Sequence, residues 1–240
     1  MSVQQEGKVF CLGWHKTGTT TLGSALIRLG YKVVGARLDT VEDLQAGRIE
    51  NVLDLAREFD AFQDVPWAAL FKELDAAFPG SKFIFVERDE ETWLKSAARH
   101  FKDLHIPMHE WLYGTGELAG NEQQYLERYR AHNAEVKKYF QHRDDFLVFS
   151  LDRGDGWPEL CHFLSRPVPS APFPHENKRL APLNTRERVL KSLRDVTPMF
   201  LRSAIFQTRL WIRKARGLPD PRNRFHNFDA NRRHRGKPGR

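Results

Sequence analysis

The fold is decided by Lys8-Val9-Phe10-Cys11-Leu12-Gly13-Trp14-His15-Lys16-Thr17-Gly18-Thr19-Thr20-Thr21-Leu22. The apolar run at residues 8–12 predicts a strand, and apolar residues at helical spacing after it predict a helix from about Thr19. A strand that leads through a Gly-containing loop into a helix presents backbone N–H groups and the positive end of the helix dipole to one point. We therefore expect an anion site here, most commonly for phosphate; an ordinary strand–helix turn is the alternative.

The position of the lysine in this loop is unusual. Gly13 and Gly18 have the spacing of a nucleoside-triphosphate loop, which requires Lys and then Ser or Thr directly after the second glycine. Thr19 takes the place of that lysine, and Lys16 lies two residues before Gly18. A lysine inside the loop lies near the far end of a bound phosphate chain, beside a bond to be broken. The loop therefore predicts P-loop-like phosphate binding without the usual kinase arrangement.

Composition places the chain among ordinary globular proteins. Its 240 residues are enough for one domain with a sizeable core, and 40% of them are hydrophobic. The two cysteines, Cys11 and Cys161, lie in apolar segments and predict buried free thiols. The sequence shows no metal-ligand spacing and no run of about 18 apolar residues. We expect no metal and a cytoplasmic location.

Positive charge is concentrated in the C-terminal quarter. Residues 175–240 carry 18 Lys and Arg against 5 Asp and Glu, whereas residues 1–174 carry 20 against 26. We divide the chain into an α/β domain at residues 1–180, a basic amphipathic helical segment at 181–216 and a basic, disordered tail at 217–240. Residues 186–240 could contact a membrane surface or a polyanion, or the helix could pack on the core with a solvated basic face. No motif indicates dedicated nucleic-acid binding.

Strands and helices alternate along residues 1–180. Strands are predicted at residues 8–12, 31–34, 60–64, 82–86 and 146–151, and helices at 19–29, 39–58, 67–78, 90–101, 121–142 and 157–164. This order predicts a doubly wound, mostly parallel sheet in a three-layer αβα arrangement, with the ligand at the carboxyl ends of the strands. Residues 104–120 contain one proline and three glycines. We expect this segment to be irregular and to form a lid or an acceptor-binding loop.

A second anion site is predicted after the strand at residues 82–86. Arg88 follows the end of that strand, and Ser96 lies about two helical turns into the next helix. An arginine offers a fixed fork of donors that suits a phosphate, and the helix can bring the serine to the same anion. Alternatively, Arg88 pairs with Glu87 or Asp89, and Ser96 is a small residue that packs between helices.

Together these motifs resemble those of sulfotransferases that use 3′-phosphoadenosine-5′-phosphosulfate (PAPS). The stretch His15-Lys16-Thr17-Gly18-Thr19-Thr20 is similar to the loop that holds the 5′-phosphosulfate. The stretch from Phe83 to Ser96 is similar to the segment in which an Arg and a Ser hold the 3′-phosphate. Asp64-Val65-Pro66-Trp67 and Phe173-Pro174-His175-Glu176-Asn177 resemble a bacterial-type branch, so that the resemblance covers about residues 8–180.

The resemblance implies a role for each of these residues. PAPS is the co-substrate, its 5′-phosphate bound by Lys16, Thr17, Gly18, Thr19, Thr20 and Thr21 and its 3′-phosphate by Arg88 and Ser96. Lys16 would donate to the bridging oxygen as the bond to sulfur breaks. The acceptor would be a hydroxyl or an amine of a glycan, lipid or small molecule, and it needs a base. Asp64 is the first candidate, His15 the second and His100 the third.

Two other classes of function stay open at this point. A P-loop kinase or nucleotide hydrolase is disfavoured by the missing lysine after Gly18. A non-catalytic nucleotide-binding fold could instead serve as a membrane- or polyanion-binding module through its basic tail.

Overall fold

The computed structural model describes residues 7–102 and 104–175. The segments predicted at 181–216 and 217–240 lie outside this range. Five strands form one sheet in the order β2-β3-β1-β4-β5, and every neighbouring pair is parallel. The strands are β1 (Val9–Cys11), β2 (Val33–Val34), β3 (Ala61–Phe62), β4 (Lys82–Val86) and β5 (Phe146–Phe149). The predicted parallel sheet is confirmed.

Eight α-helices accompany the sheet in the described part of the chain. They are α1 (Thr19–Arg28), α2 (Val41–Gln45), α3 (Ile49–Ala56), α4 (Phe71–Ala77), α5 (Glu90–Phe101), α6 (Pro107–Tyr113), α7 (Glu122–Tyr139) and α8 (Trp157–Leu164). Short 3₁₀ turns lie at Leu38–Thr40, Trp67–Leu70 and Leu151–Arg153. None of these helices is long and apolar enough to cross a membrane.

The two faces of the sheet bury separate cores, because successive side chains of a strand point to opposite faces. Phe10 and Leu12 belong to one core with residues of α3 to α7, whereas Val9 and Cys11 belong to the other with residues of α1 and α8. Both cysteines are buried free thiols, as predicted. Helices therefore cover both faces, and the expected three-layer αβα arrangement is confirmed.

The order of the strands along the chain indicates where on the sheet a ligand is expected. The connection after β1 runs toward β2, whereas the connection after β4 runs toward β5, so the direction reverses between the neighbours β1 and β4. Open α/β sheets bind ligands at such a point, beyond the carboxyl ends of the strands. The loop after β1, Arg88 after β4 and Asp64 after β3 all follow strands that are neighbours in the sheet. The three predicted site segments therefore share one edge.

Two predictions about helices are wrong in part. Residues 39–58 do not form one helix, because α2 ends at Gln45 and α3 begins at Ile49, with Gly47 in the left-handed region (φ 71°) between them. Residues 104–120 are not irregular throughout, since α6 lies inside them and His105 pairs with Glu117. The residues that suggested irregularity are helix signals: Pro107 begins α6, and Gly114 ends it in a left-handed conformation.

Candidate functional site

The loop after β1 presents backbone donors at the start of α1. Gly18 is the N-cap with φ 108°, and no side chain caps the helix. The first backbone hydrogen bond of the helix is donated by Leu22 to Gly18. The N–H groups of Thr19 and Thr20 come before it in the first turn, where the helix itself supplies no acceptor. Together with the helix dipole, they suit an anion, the kind of ligand that the sequence predicts here.

Neither glycine of the loop leaves room for a side chain. A Cβ on Gly13 would lie 2.5 Å from Thr17 Oγ1 and 2.7 Å from Val86 Cβ. A Cβ on Gly18 would lie 2.5 Å from Leu151 Cδ1. The loop is therefore packed directly against the ends of β4 and β5, at the edge where the ligand is expected.

Thr17 uses its donors inside the loop. Its hydroxyl donates to the Trp14 carbonyl at 2.7 Å, and its N–H donates to the same oxygen at 3.2 Å. Thr17 thus closes the turn that carries Lys16, whose own backbone lies in the left-handed region with φ 67°. Such a conformation is costly for a residue other than glycine, and it persists where surrounding contacts hold it.

Contacts from the segment after β4 and from α5 hold the loop from outside. Arg88 Nη1 donates to the Lys16 carbonyl at 2.5 Å, and Trp93 Nε1 donates to the His15 carbonyl at 2.9 Å. The pairing of Arg88 with Glu87 or Asp89, which the sequence left open, is therefore not what engages Nη1. Arg88 Nε is buried with no hydrogen-bond partner among the residues the structure describes. A buried donor of this kind points to a ligand that supplies the acceptor.

Arg88 also lines a pocket of about 430 Å³ at the ends of β4 and β5. Its lining residues come from the segments after these strands and from α7: Glu87, Arg88, Asp89, Glu90, Tyr129, Asn133, Ser150, Asp152 and Arg153. Ser96 does not line this pocket; it lies half-buried in α5. The structure therefore associates Arg88, but not Ser96, with the cavity.

Asp64 lies beside the start of α1. Its Oδ1 accepts from the N–H of Val65 at 2.8 Å, and its Oδ2 accepts from the hydroxyl of Thr19 at 3.3 Å. Burial raises the pKa of Asp64 to about 6, while these two hydrogen bonds and the charge of Lys16 act in the opposite direction. Its backbone is left-handed (φ 72°), as is that of Lys16. The structure thus brings Lys16, Thr19 and Asp64 together.

His15 lies in a buried aromatic cluster. Its Nε2 is 2.7 Å from the hydroxyl of Tyr113, and its ring stacks on His109 at 5.1 Å between centroids. Burial, followed by the nearby His109 and Lys16, lowers the pKa of His15 well below its ordinary value. The ring is therefore neutral at physiological pH. His100, by contrast, is exposed near the end of α5.

Four residues of the site were not predicted from the sequence. Trp93 and Tyr129 donate to backbone carbonyls of the site segments, Tyr113 contacts His15, and Gln63 precedes Asp64. Gln63 is buried, and its Oε1 has no partner among the described residues. In the sequence, the three aromatic residues only match the spacing of a buried helix face, which indicates packing and not a role in a site. Gln63 carries a signal in the sequence, because it is a polar residue that lies directly before Asp64, just after the buried strand β3.

The described residues contain no group of His, Cys, Asp or Glu arranged to hold a metal ion. The polar groups around Lys16 are instead the backbone N–H cluster, the Arg88 guanidinium and the Asp64 carboxylate, whereas the adjoining pocket also carries the side chains of Glu87, Asp89, Glu90, Asp152 and Arg153. Such a set suits an anionic ligand with charge at two positions and one group that needs a base.

Comparisons with known proteins identify a family for most of the chain. The sequence pattern of the sulfotransferase domain matches residues 8–181. The Ava biosynthesis cluster protein M of Aspergillus versicolor is 26% identical over 214 residues, which cover 70% of this chain and 80% of that protein. The matched region begins at β1 and includes every strand and helix described above.

Proposed function

The chain belongs to the sulfotransferase domain family over residues 8–181, and we propose that it transfers the sulfuryl group of PAPS to a hydroxyl or amine of an acceptor. One observation carries the choice of donor. Arg88 bonds the carbonyl of Lys16 through Nη1, while its buried Nε has no partner among the described residues. The Arg88 guanidinium thus bonds the loop before α1 and still has a donor for a second anion. PAPS would supply two such anionic groups, one at the 5′ and one at the 3′ position of its nucleoside.

The residues at the start of α1 fit the sulfated end of this donor. The N–H groups of Thr19, Thr20 and Thr21 and the N-terminus of α1 favour a phosphate there. Thr17 contributes by closing the loop, since both its donors are engaged by Trp14. Gly13 and Gly18 allow the loop to pack closely on β4 and β5. Arg88, together with Ser96 of the helix that follows it, would hold the 3′-phosphate.

Lys16 supports departure of the nucleotide. Sulfuryl transfer is an in-line displacement in which a bond from sulfur to the acceptor forms while the bond to the bridging phosphate oxygen breaks. Negative charge then grows on that oxygen, and the Lys16 ammonium stabilises it by a hydrogen bond. Arg88 holds the left-handed backbone of Lys16 by a hydrogen bond to its carbonyl, so that the backbone from which the lysine side chain projects is set before the donor binds.

Asp64 is the base in this proposal. Its pKa of about 6 leaves it ionised at neutral pH and still basic enough to accept the proton of the acceptor. His15 is the weaker candidate, because its Nε2 is engaged by Tyr113 and its pKa lies well below the ordinary value. His100 is weaker again, because it is exposed in the last turn of α5, one residue before that helix ends, where water competes for its ring.

We extend the proposal to the acceptor and to the location of the protein. The acceptor carries a hydroxyl or an amine, and its class (glycan, lipid or small molecule) is to be found by screening. Contact of residues 186–240 with a membrane surface or polyanion is proposed from the concentration of positive charge there, and a cytoplasmic location is proposed because the sequence shows no run of about 18 apolar residues.

Ligand-dependent thermal stability tests the choice of donor. The protein should be stabilised by 3′-phosphoadenosine-5′-phosphate (PAP) without metal, because a ligand that binds only the folded state raises the melting temperature. The Arg88→Ala variant should lose most of this shift, whereas Arg48→Ala, which removes an exposed arginine paired with Asp43, should keep it. Preferential stabilisation by ATP with Mg²⁺ would indicate a kinase or nucleotide hydrolase instead. No response to either nucleotide would favour the non-catalytic alternative.

A further inference from the structure

Two aromatic side chains from different helices form one unit behind the site. Trp93 of α5 and Tyr129 of α7 stack with 4.0 Å between ring centroids and 7° between ring planes. Both side chains are almost completely buried. Neither residue is among those for which the sequence suggested a function.

Each of the two rings directs its polar atom to a site segment. Trp93 Nε1 donates to the His15 carbonyl at 2.9 Å, and the Tyr129 hydroxyl donates to the Arg88 carbonyl at 2.8 Å. Arg88 Nη1 then donates to the Lys16 carbonyl at 2.5 Å. The stack therefore holds the loop after β1 and the segment after β4 at the same time.

The contacts meet where the backbone is strained. Lys16 has φ 67°. Its own carbonyl accepts from Arg88, and the carbonyl of the preceding residue, His15, accepts from Trp93. A left-handed lysine costs free energy that neighbouring contacts must offset. Both contacts depend on the Trp93–Tyr129 stack, directly through the indole N–H and indirectly through the backbone of Arg88.

We propose that Trp93 and Tyr129 are positioning residues that set the distance between Lys16 and Arg88, and thereby align the two phosphate ends of the donor nucleotide. The identity of the donor rests on the proposed function; the positioning of the loop does not. Neither residue needs to contact the nucleotide. Their effect passes through the carbonyls of His15 and Arg88.

The loop itself can be observed without any ligand. Tyr129→Phe removes one hydroxyl and keeps the stack, and Trp93→Phe removes the indole N–H. Tyr139→Phe is the control, because it removes a hydroxyl from the same helix, α7, and that hydroxyl donates to Asp75 instead of to a site segment. In ¹⁵N-labelled protein, Tyr129→Phe and Trp93→Phe should shift the amide resonances of Thr17 and Gly18, and Tyr139→Phe should leave them in place. Equal shifts in the three variants, or none, would overturn the proposal.

A double-mutant cycle on PAP binding tests the alignment. A single hydrogen bond at this position should change affinity by about three- to tenfold, so Tyr129→Phe should weaken PAP binding by about that factor. In the Arg88→Ala background the same change should have an effect of less than about twofold, because the guanidinium that links the Tyr129-bonded segment to Lys16 is gone, although the backbone carbonyl that Tyr129 bonds is still there. Equal weakening in both backgrounds would mean general destabilisation and would contradict the alignment. Wild-type protein that fails to bind PAP would contradict the proposed function, and the amide shifts alone would then decide whether the stack positions the loop.

Discussion

The hydroxyl of Thr19 donates a hydrogen bond to the carboxylate of Asp64, with 3.3 Å between Oγ1 and Oδ2. Thr19 is the first residue of α1, and Asp64 follows β3, so the contact joins two neighbouring strand ends 45 residues apart in sequence. The bond lowers the pKa of Asp64 against the effect of burial, which raises it. The residue proposed to bind the donor thus also adjusts the residue proposed to activate the acceptor.

Replacement of Thr19 should therefore change the pH dependence of the reaction. Thr19→Val keeps the size of the side chain but removes the hydroxyl, so the pKa of Asp64 should rise above about 6. The acidic limb of the rate profile, measured as release of PAP from PAPS, should move to higher pH. Thr19→Ser keeps the hydroxyl and should keep the limb where it is. A limb that stays in place in Thr19→Val would mean that the two groups are not coupled.

Loss of the Asp64 carboxylate should remove the acidic limb of the rate profile altogether. A base must be deprotonated to act, so the rate should rise with pH through the pKa of Asp64, about 6, and then level off. Asp64→Asn should be slower by about 10²–10⁴-fold and should show no rise in this range. His15→Ala should retain the rise, because the His15 ring is neutral and bonded to Tyr113. Loss of the limb in His15→Ala alone would assign the base to the histidine.

The Asp64 carboxylate should also make the folded state less stable as pH rises, whereas it makes the reaction faster. The folded state holds the Asp64 proton up to about pH 6, whereas the unfolded chain releases it near the ordinary value of 3.8. Between these values the folded state binds more protons, so the free energy of unfolding falls as pH rises. Asp64→Asn does not titrate and lacks this fall. Its melting temperature relative to wild type should be higher above pH 6 than below pH 3.8; a difference that does not change with pH would contradict the raised pKa.

The sheet and the loop after β1 were predictable because their signals are local. Buried strands such as residues 82–86 form continuous apolar runs, and the glycines and hydroxyl residues before α1 lie within one short stretch. Parallel strands bring their carboxyl ends to one edge, and for this reason Lys16, Asp64 and Arg88 could be assigned to one site from the sequence.

Residues that act through tertiary contacts could not be predicted in this way. Trp93 and Tyr129 match the helical period of a buried face, and their apolar bodies account for that pattern. Their polar atoms bond to carbonyls 78 and 41 residues away in sequence, which no local pattern encodes. The break between α2 and α3 had a signal in Gly47, but glycine inside a periodic segment also occurs within helices.

Lys16 should matter for turnover far more than for binding. Lys16→Ala should lower kcat by about 10²–10³-fold, because it removes a donor that acts on the leaving oxygen only as charge develops there. PAP should still bind through α1 and Arg88. Since the charge of Lys16 lowers the pKa of Asp64, the residual activity should also show its acidic limb at higher pH. Lys138→Ala removes an exposed lysine of α7 and should behave as wild type. Unchanged turnover in Lys16→Ala would contradict the role.

Two glycines with left-handed backbones allow strain and steric contact to be separated. Gly18 (φ 108°) faces Leu151, whereas a Cβ on Gly154 (φ 86°) would meet no atom within 4 Å. Gly154→Ala should therefore cost only the backbone strain, about 1–2 kcal/mol, and Gly18→Ala should cost that and a clash, about 2–4 kcal/mol in total. The free energy of unfolding in urea measures both losses. In a Leu151→Ala background the extra loss at Gly18 should largely disappear, since the contact at 2.5 Å is made by Leu151 Cδ1. Equal losses at the two glycines would mean that the loop does not pack on Leu151 in solution.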